Sequence, residues 1–166
     1  MYTIVSDIDK VKEQHCKLIN KKNKLISKSN GIYNRYKYPV VTAEHVPIHW
    51  RYDLNPEANP YVMERIGFNA AFNAGAIKWN DVYLLCLRVE GNDRKSFFGI
   101  AESPNGIDNF KFWDKPCVIP QIEGNPDTNA YDMRLIAHED GWIYKNKRFN
   151  ELGKTSRFGF ILWAAT

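Results

Sequence analysis

Cysteine is scarce in this chain. There are three in 166 residues, Cys16, Cys86 and Cys117, odd in number and widely spaced. No CxxC pair and no Cys/His ligand spacing accompanies them, which argues against a disulfide framework and for reduced thiols in a cytoplasmic protein. Long apolar runs are missing too. No segment approaches the roughly 20 residues of a membrane-spanning helix, and the opening MYTIVSDIDKVKEQ lacks the apolar core of a signal peptide. Histidine is equally sparse. His45 and His49 stand four apart, but Pro47 between them opposes the helical geometry that a metal-binding pair would use. Excess charge is small and local. Lys145, Lys147, Arg148, Lys154 and Arg157 against Glu151 account for the whole net charge of +4, so the first 144 residues sum to zero. A nucleic-acid partner would have to rest on that tail alone, and none is expected. No membrane partner is expected either, and assembly into a homo-oligomer is left open.

Aromatics, by contrast, are plentiful: nine Tyr, nine Phe and five Trp, enough for stacking surfaces as well as a core. One domain is the default at this length. Residues 6 to about 28 read as a helix capped by Ser6 or Asp7, with Ile8, Val11, His15, Leu18, Leu25 and Ile26 near one face and Ser29-Asn30-Gly31 as its stop. Residues 38 to 60 hold four prolines and read as a loop. Trp50, Arg51, Tyr52 and Asp53 make a binding loop the favoured reading of it, against a belt packed across the domain. From residue 68 the pattern turns to short strands: 68–77, 82–90, 96–103, then 116–121, the segment around Asp132, and Trp142-Ile143-Tyr144. Ser103-Pro104-Asn105-Gly106 is a turn signal between them. Groups of short antiparallel strands suit β-propeller blades, and a β-sandwich fits the same spacing.

Two places concentrate polar chemistry. Arg88 and Glu90 end the most apolar strand and share a face, with Asp93, Arg94 and Lys95 in the turn beyond and Asn73 on the neighbouring strand. Amides, charges and aromatics in one place suit a sugar, which offers hydroxyls and C–H faces; a surface hairpin with local salt bridges fits the spacing as well. The segment TNAYDMRLIAHEDGW places Asp132 after Tyr131 and close to Arg134.

The runs EHVPIHWRYDLNPEANPYVMER, FNAGAI, RVEGNDRKSFFGIAESPNGIDNFKFWD and DTNAYDMRLIAHEDGWIY resemble glycoside hydrolase family 130, in its branch acting on mannosyl-glucose, over roughly residues 30 to 144. The resemblance implies an all-β fold, a five-bladed β-propeller of which this chain would hold about the first two blades, preceded by an N-terminal helix. It implies phosphate-dependent, inverting cleavage of β-1,4-mannosyl-glucose to mannose 1-phosphate and glucose, with Asp132 as general acid. An inverting hydrolase needs a base to activate water; phosphate is already an anionic nucleophile, so one carboxylate is enough. Tyr131, Asn73 and Arg88 would contact the mannosyl unit, and Asp93, Arg94 and Lys95 are extended to the glucose side. No metal or organic cofactor is implied, and inorganic phosphate enters as co-substrate.

The resemblance fades after Tyr144, where KNKRFNELGKTSRFGFILWAAT follows. The expected organisation is a helical extension over 1–30, a partial propeller over 31–144 and a divergent tail over 145–166. A truncated or frameshifted reading frame would look like this, and such a chain would be inactive alone. A non-catalytic sugar-binding or assembly fragment of the same fold, or a β-1,4-mannooligosaccharide phosphorylase, stays open beside it.

Overall fold

The computed structural model describes residues 7–27, 31–117, 131–139, 141–151 and 154–164; for Asp7, Asp132, 145–151 and 154–164 the description covers the backbone alone. Among the described residues, nine strands and two helices follow one another: α1 (Asp7–Ile19), β1 (Leu25–Ser27), β2 (Arg35–Tyr36), a 3-10 turn (Ala43–His45), α2 (Ile48–Arg51), β3 (Phe68–Trp79), β4 (Val82–Gly91), β5 (Ser96–Ser103), β6 (Lys111–Phe112), β7 (Tyr131–Ala137), β8 (Trp142–Glu151) and β9 (Lys154–Ala164). β3 to β6 form one antiparallel meander and β7 to β9 a second; β1 and β2 form a separate small ribbon. The first strands of the two meanders, β3 and β7, pack together. This is the arrangement of adjacent blades in a partial, all-β propeller.

The strands end where local chemistry ends them. Asn80, with φ of 51°, turns β3 into β4 through a two-residue loop. Ser103 Oγ accepts N–H bonds from Asn105 (3.2 Å) and Gly106 (3.0 Å), while Gly106 takes a φ of 71°; the expected turn is there. The strand expected over 116–121 lies mostly outside the described residues, although Cys117 bridges Phe98.

β4 is buried on both faces, and each face meets a different layer. Leu87 and Val89 pack with Val41, Val46, Trp50, Ala101 and Phe110. Leu84 and Cys86 pack with Phe98, Ile100, Met133 and Ile143, joining the two sheets. They come close at Gly75, where an added Cβ would lie 2.6 Å from the Met133 carbonyl oxygen and 3.1 Å from the Arg134 Cα. Only glycine lets the two backbones come so near.

Two sequence expectations are corrected. α1 ends at Ile19 rather than near 28, and Leu25 and Ile26 stand exposed on β1. Asn20 Nδ2 bonds the Cys16 carbonyl (2.8 Å) and closes the helix. Asn23 then fixes the chain as extended: its Nδ2 donates to the Tyr38 carbonyl (2.9 Å), and its Oδ1 accepts the Tyr38 N–H (3.1 Å). The second correction concerns Trp50. It does not face a ligand but lies buried beneath the first sheet, between Phe97 and Phe112 at 5.8 Å from each, its Nε1 donating to the Asp114 carbonyl (2.7 Å). Residues 38 to 60 are a belt, and Arg51 is tied to Glu64 at 2.6 Å.

Candidate active site

The polar end of β4 is built by register and by bulges. Arg88 faces Phe72 of β3 and Phe98 of β5 across the ladder, and Glu90 faces Ala70 and Ser96. β3 carries one extra residue between Phe68 and Ala70 and another between Phe72 and Gly75. Asn69 fills the first irregularity, and Asn73, with φ of 49°, falls in the second. β7 is irregular in the same way between Tyr131 and Arg134, the stretch that holds Asp132. Bulges re-aim side chains and gather beside active sites. Here they fall on both expected positions, Asn73 and Asp132.

Arg88 is the centre of the cluster. Its guanidinium lies over the Tyr131 ring at 4.5 Å and over the Phe72 ring at 4.9 Å, so aromatic rings from both sheets hold it. Nε donates to Ser96 Oγ (3.1 Å) and Nη2 to Glu90 Oε2 (3.2 Å). Glu90 Oε1 accepts from Asn69 Nδ2 (2.9 Å) and lies 3.5 Å from Arg94 Nη1. The salt-bridged hairpin is thus real. It also places a fork-shaped cation and a phenol at the end of an apolar strand, which are groups that can meet sugar hydroxyls.

The remaining expected site residues divide. Arg94, with φ of 66°, projects from the β4–β5 hairpin and reaches back to Glu90. Asp93 is used within the turn, its Oδ1 accepting the Lys95 N–H (3.0 Å). Lys95 and Asn73 are exposed beside the cluster. The side chain of Asp132 lies outside the described atoms, and its backbone stands between Tyr131 of the cluster and the fully buried Met133. Sequence reasoning missed Phe72, Asn69 and Ser96. Cross-strand neighbours of Arg88 would have named Phe72, had the register been known.

A cavity of about 290 Å³ opens elsewhere, lined by Leu18, Lys21, Tyr38, Thr42, His45 and Asp108 among others, none of them in the Arg88 cluster. His45 is buried there with Nδ1 against Thr42 Oγ1 (2.9 Å), and burial pushes its pKa below the ordinary imidazole value, helped by His15. Asp108 is held below the usual carboxylate range by the Asn105 amide first and then by the Asn23 N–H. Among the described residues, no group of three or more His, Cys, Asp or Glu gathers as a metal site would.

The comparisons with known proteins agree with this architecture. No family profile matches the chain. A solved glycosyl hydrolase from Bacteroides ovatus superposes with a TM-score of 0.53 at 18% identity, covering 84% of this chain and 38% of that one. A structure from the GH130 family of mannoside phosphorylases, which contains glycoside hydrolases targeting β-1,2 mannosidic linkages in Candida mannan, gives a TM-score of 0.52 at 17% identity over 82% of this chain and 40% of that one. The fold is therefore that of part of an all-β propeller. More particularly, the chain is 62% identical over 130 residues to the 4-O-β-D-mannosyl-D-glucose phosphorylase of Bacteroides fragilis. The resemblance to glycoside hydrolase family 130 is borne out over that stretch. It takes in 78% of this chain and 33% of the relative, so the chain spans about a third of the length of the curated protein it matches.

Proposed function

We propose that this chain supplies one wall of the active site of an inverting mannosyl-glucose phosphorylase. The observation that carries the proposal is the clamped Arg88, held between Phe72 and Tyr131 beside the bulge at Asp132, within a stretch 62% identical to such an enzyme. In this reading Arg88, Tyr131 and Asn73 hold the mannosyl unit, while Arg94, Lys95 and the hairpin shaped by Asp93 meet the glucose. A phosphate oxygen attacks the anomeric carbon as the glycosidic bond breaks. The proton of Asp132 passes through a mannosyl hydroxyl to the departing glucose oxygen, so charge does not build up on the leaving group. Phosphate serves as co-substrate, and the reaction as written uses no metal or organic cofactor. Cys16, Cys86 and Cys117 form no disulfide, which supports a reducing, cytoplasmic setting.

A second reading, a sugar-binding fragment without turnover, rests on the same cation, phenol and amide, which can hold sugar hydroxyls without an acid. One experiment separates them. The 166-residue chain, and a chimera in which its matching stretch replaces the counterpart in the Bacteroides fragilis enzyme, are each incubated with mannosyl-glucose and phosphate. Release of mannose 1-phosphate by the chimera, abolished by Asp132→Asn, supports the phosphorylase wall. A folded but inactive chimera sinks it. Turnover by the chain itself would refute the fragment reading.

A further inference from the structure

We infer that Glu90 is a positioning residue that holds both arginines of the cluster in one geometry and so ties the mannosyl and glucose halves of the pocket together. This deepens the phosphorylase reading and rests on it. Glu90 is 8% exposed, a place where a carboxylate persists only with partners. Both its oxygens are engaged, and on different groups. Oε2 accepts from Arg88 (3.2 Å); Oε1 accepts from Asn69 (2.9 Å) and meets Arg94 at 3.5 Å. Arg88 is restrained by the Phe72 and Tyr131 rings, at 4.9 and 4.5 Å from its guanidinium, and by hydrogen bonds to Ser96 and Glu90. Arg94 is 79% exposed at its side chain and sits in a left-handed turn, so the contact to Glu90 is what draws it toward the cluster. The extra residue at Asn69 completes the arrangement, because its amide reaches the carboxylate from the far strand. The carboxylate reaches no sugar itself. It acts through two cations assigned to two different sugar units.

The test is Glu90→Gln, which keeps the shape and removes the charge. In the 166-residue chain, hydrogen exchange at the Arg88 Nη–H groups, which donate to Glu90, followed by ¹⁵N NMR, is expected to speed up about tenfold, the size of one charge-assisted hydrogen bond. The backbone amides of β3 to β5 should keep their protection. Unchanged exchange at Arg88 would overturn the clamp. In the chimera, run in the synthetic direction, the KM values for mannose 1-phosphate and for glucose should both rise about tenfold, with kcat changing much less. A merely structural role would lower the active fraction, and hence kcat, without moving either KM. A rise for one sugar alone would break the tie between the two halves. Should Asp132→Asn and Arg88→Lys leave the chimera's kinetics untouched, the phosphorylase reading is what fails, and the exchange measurement still judges the clamp.

Discussion

One face of β4 has two unlike halves. Leu84 and Cys86 are buried against Met133 and Ile143 of the second sheet, and the Cys86 thiol lies 2.9 Å from the Met133 sulfur. Arg88 and Glu90, next along the same face, meet rings, amides and a hydroxyl instead. The boundary falls opposite the irregularity in β3 between Phe72 and Gly75, because Phe72 pairs with Arg88 and Gly75 with Cys86. The apolar half joins two blades; the polar half uses the same junction to present chemistry. The residue types change along β4 itself, from Leu84 and Cys86 to Arg88 and Glu90. The change comes where an added residue in a neighbouring strand shifts the ladder, and a glycine just beyond it restores close approach.

The largest expected effect strikes the polar half. In the chimera, Asp132→Asn should lower kcat by about 10²–10⁴-fold, with KM moving far less; steady-state release of mannose 1-phosphate measures it, and near-normal turnover would place the acid elsewhere. Next comes Arg88→Lys. An ammonium cannot reproduce the guanidinium's hydrogen bonds to Ser96 and Glu90 together with its contacts to both rings, so kcat/KM should fall by about 10- to 100-fold. Glu90 loses its best partner as well, so thermal melting should drop rather than hold steady. Normal kinetics with a lowered melting point would leave Arg88 a purely structural residue. Gly75→Ala tests the apolar half. The atoms that a new Cβ would meet are backbone atoms of β7, which cannot rotate away, so the chain should lose about 1–3 kcal/mol in denaturant unfolding. An unchanged midpoint would show that the sheets separate without cost.

The smallest effect belongs to a region outside both halves. His45 is buried with its pKa below the ordinary 6.5, chiefly through burial. As pH falls through that ordinary value the unfolded chain takes up a proton that the folded chain refuses, so this contribution to stability declines below about pH 6.5. It levels off beneath the folded pKa. Unfolding curves at stepped pH should show that slope, and His45→Gln should flatten it while leaving the β4 variants' differences in place.

Much of the sheet was legible in the sequence, because strand alternation and turn residues act locally. β5 runs over Ser96–Ser103, as its pattern predicts, and the turn at Ser103 closes with its own side chain. The helix end was not legible. The apolar spacing continues through Leu25 and Ile26, and what overrides it is Asn23 bonding to residues 38 and 107. Trp50 was misread for the same reason, since its partners Phe97, Phe112 and Asp114 come from much later in the chain. In the site, the two-residue spacing of Arg88 and Glu90 revealed a shared face. Asn69, Ser96 and Phe72 join them only through register, which a bulge can shift without any local signal.

The ring pair around Arg88 has a thermodynamic consequence. Phe72 belongs to the first sheet and Tyr131 to the second, so the guanidinium has both its aromatic walls only while the two blades are docked. Any ligand that binds the walled arginine and not the unwalled one must, by linkage, stabilise the docked state by RT ln(1 + [L]/Kd). Ligand binding and blade association are then one equilibrium observed from two sides. A sugar would act here as an inter-blade adhesive, and the rise in melting temperature that it produces would report its affinity for the clamped arginine.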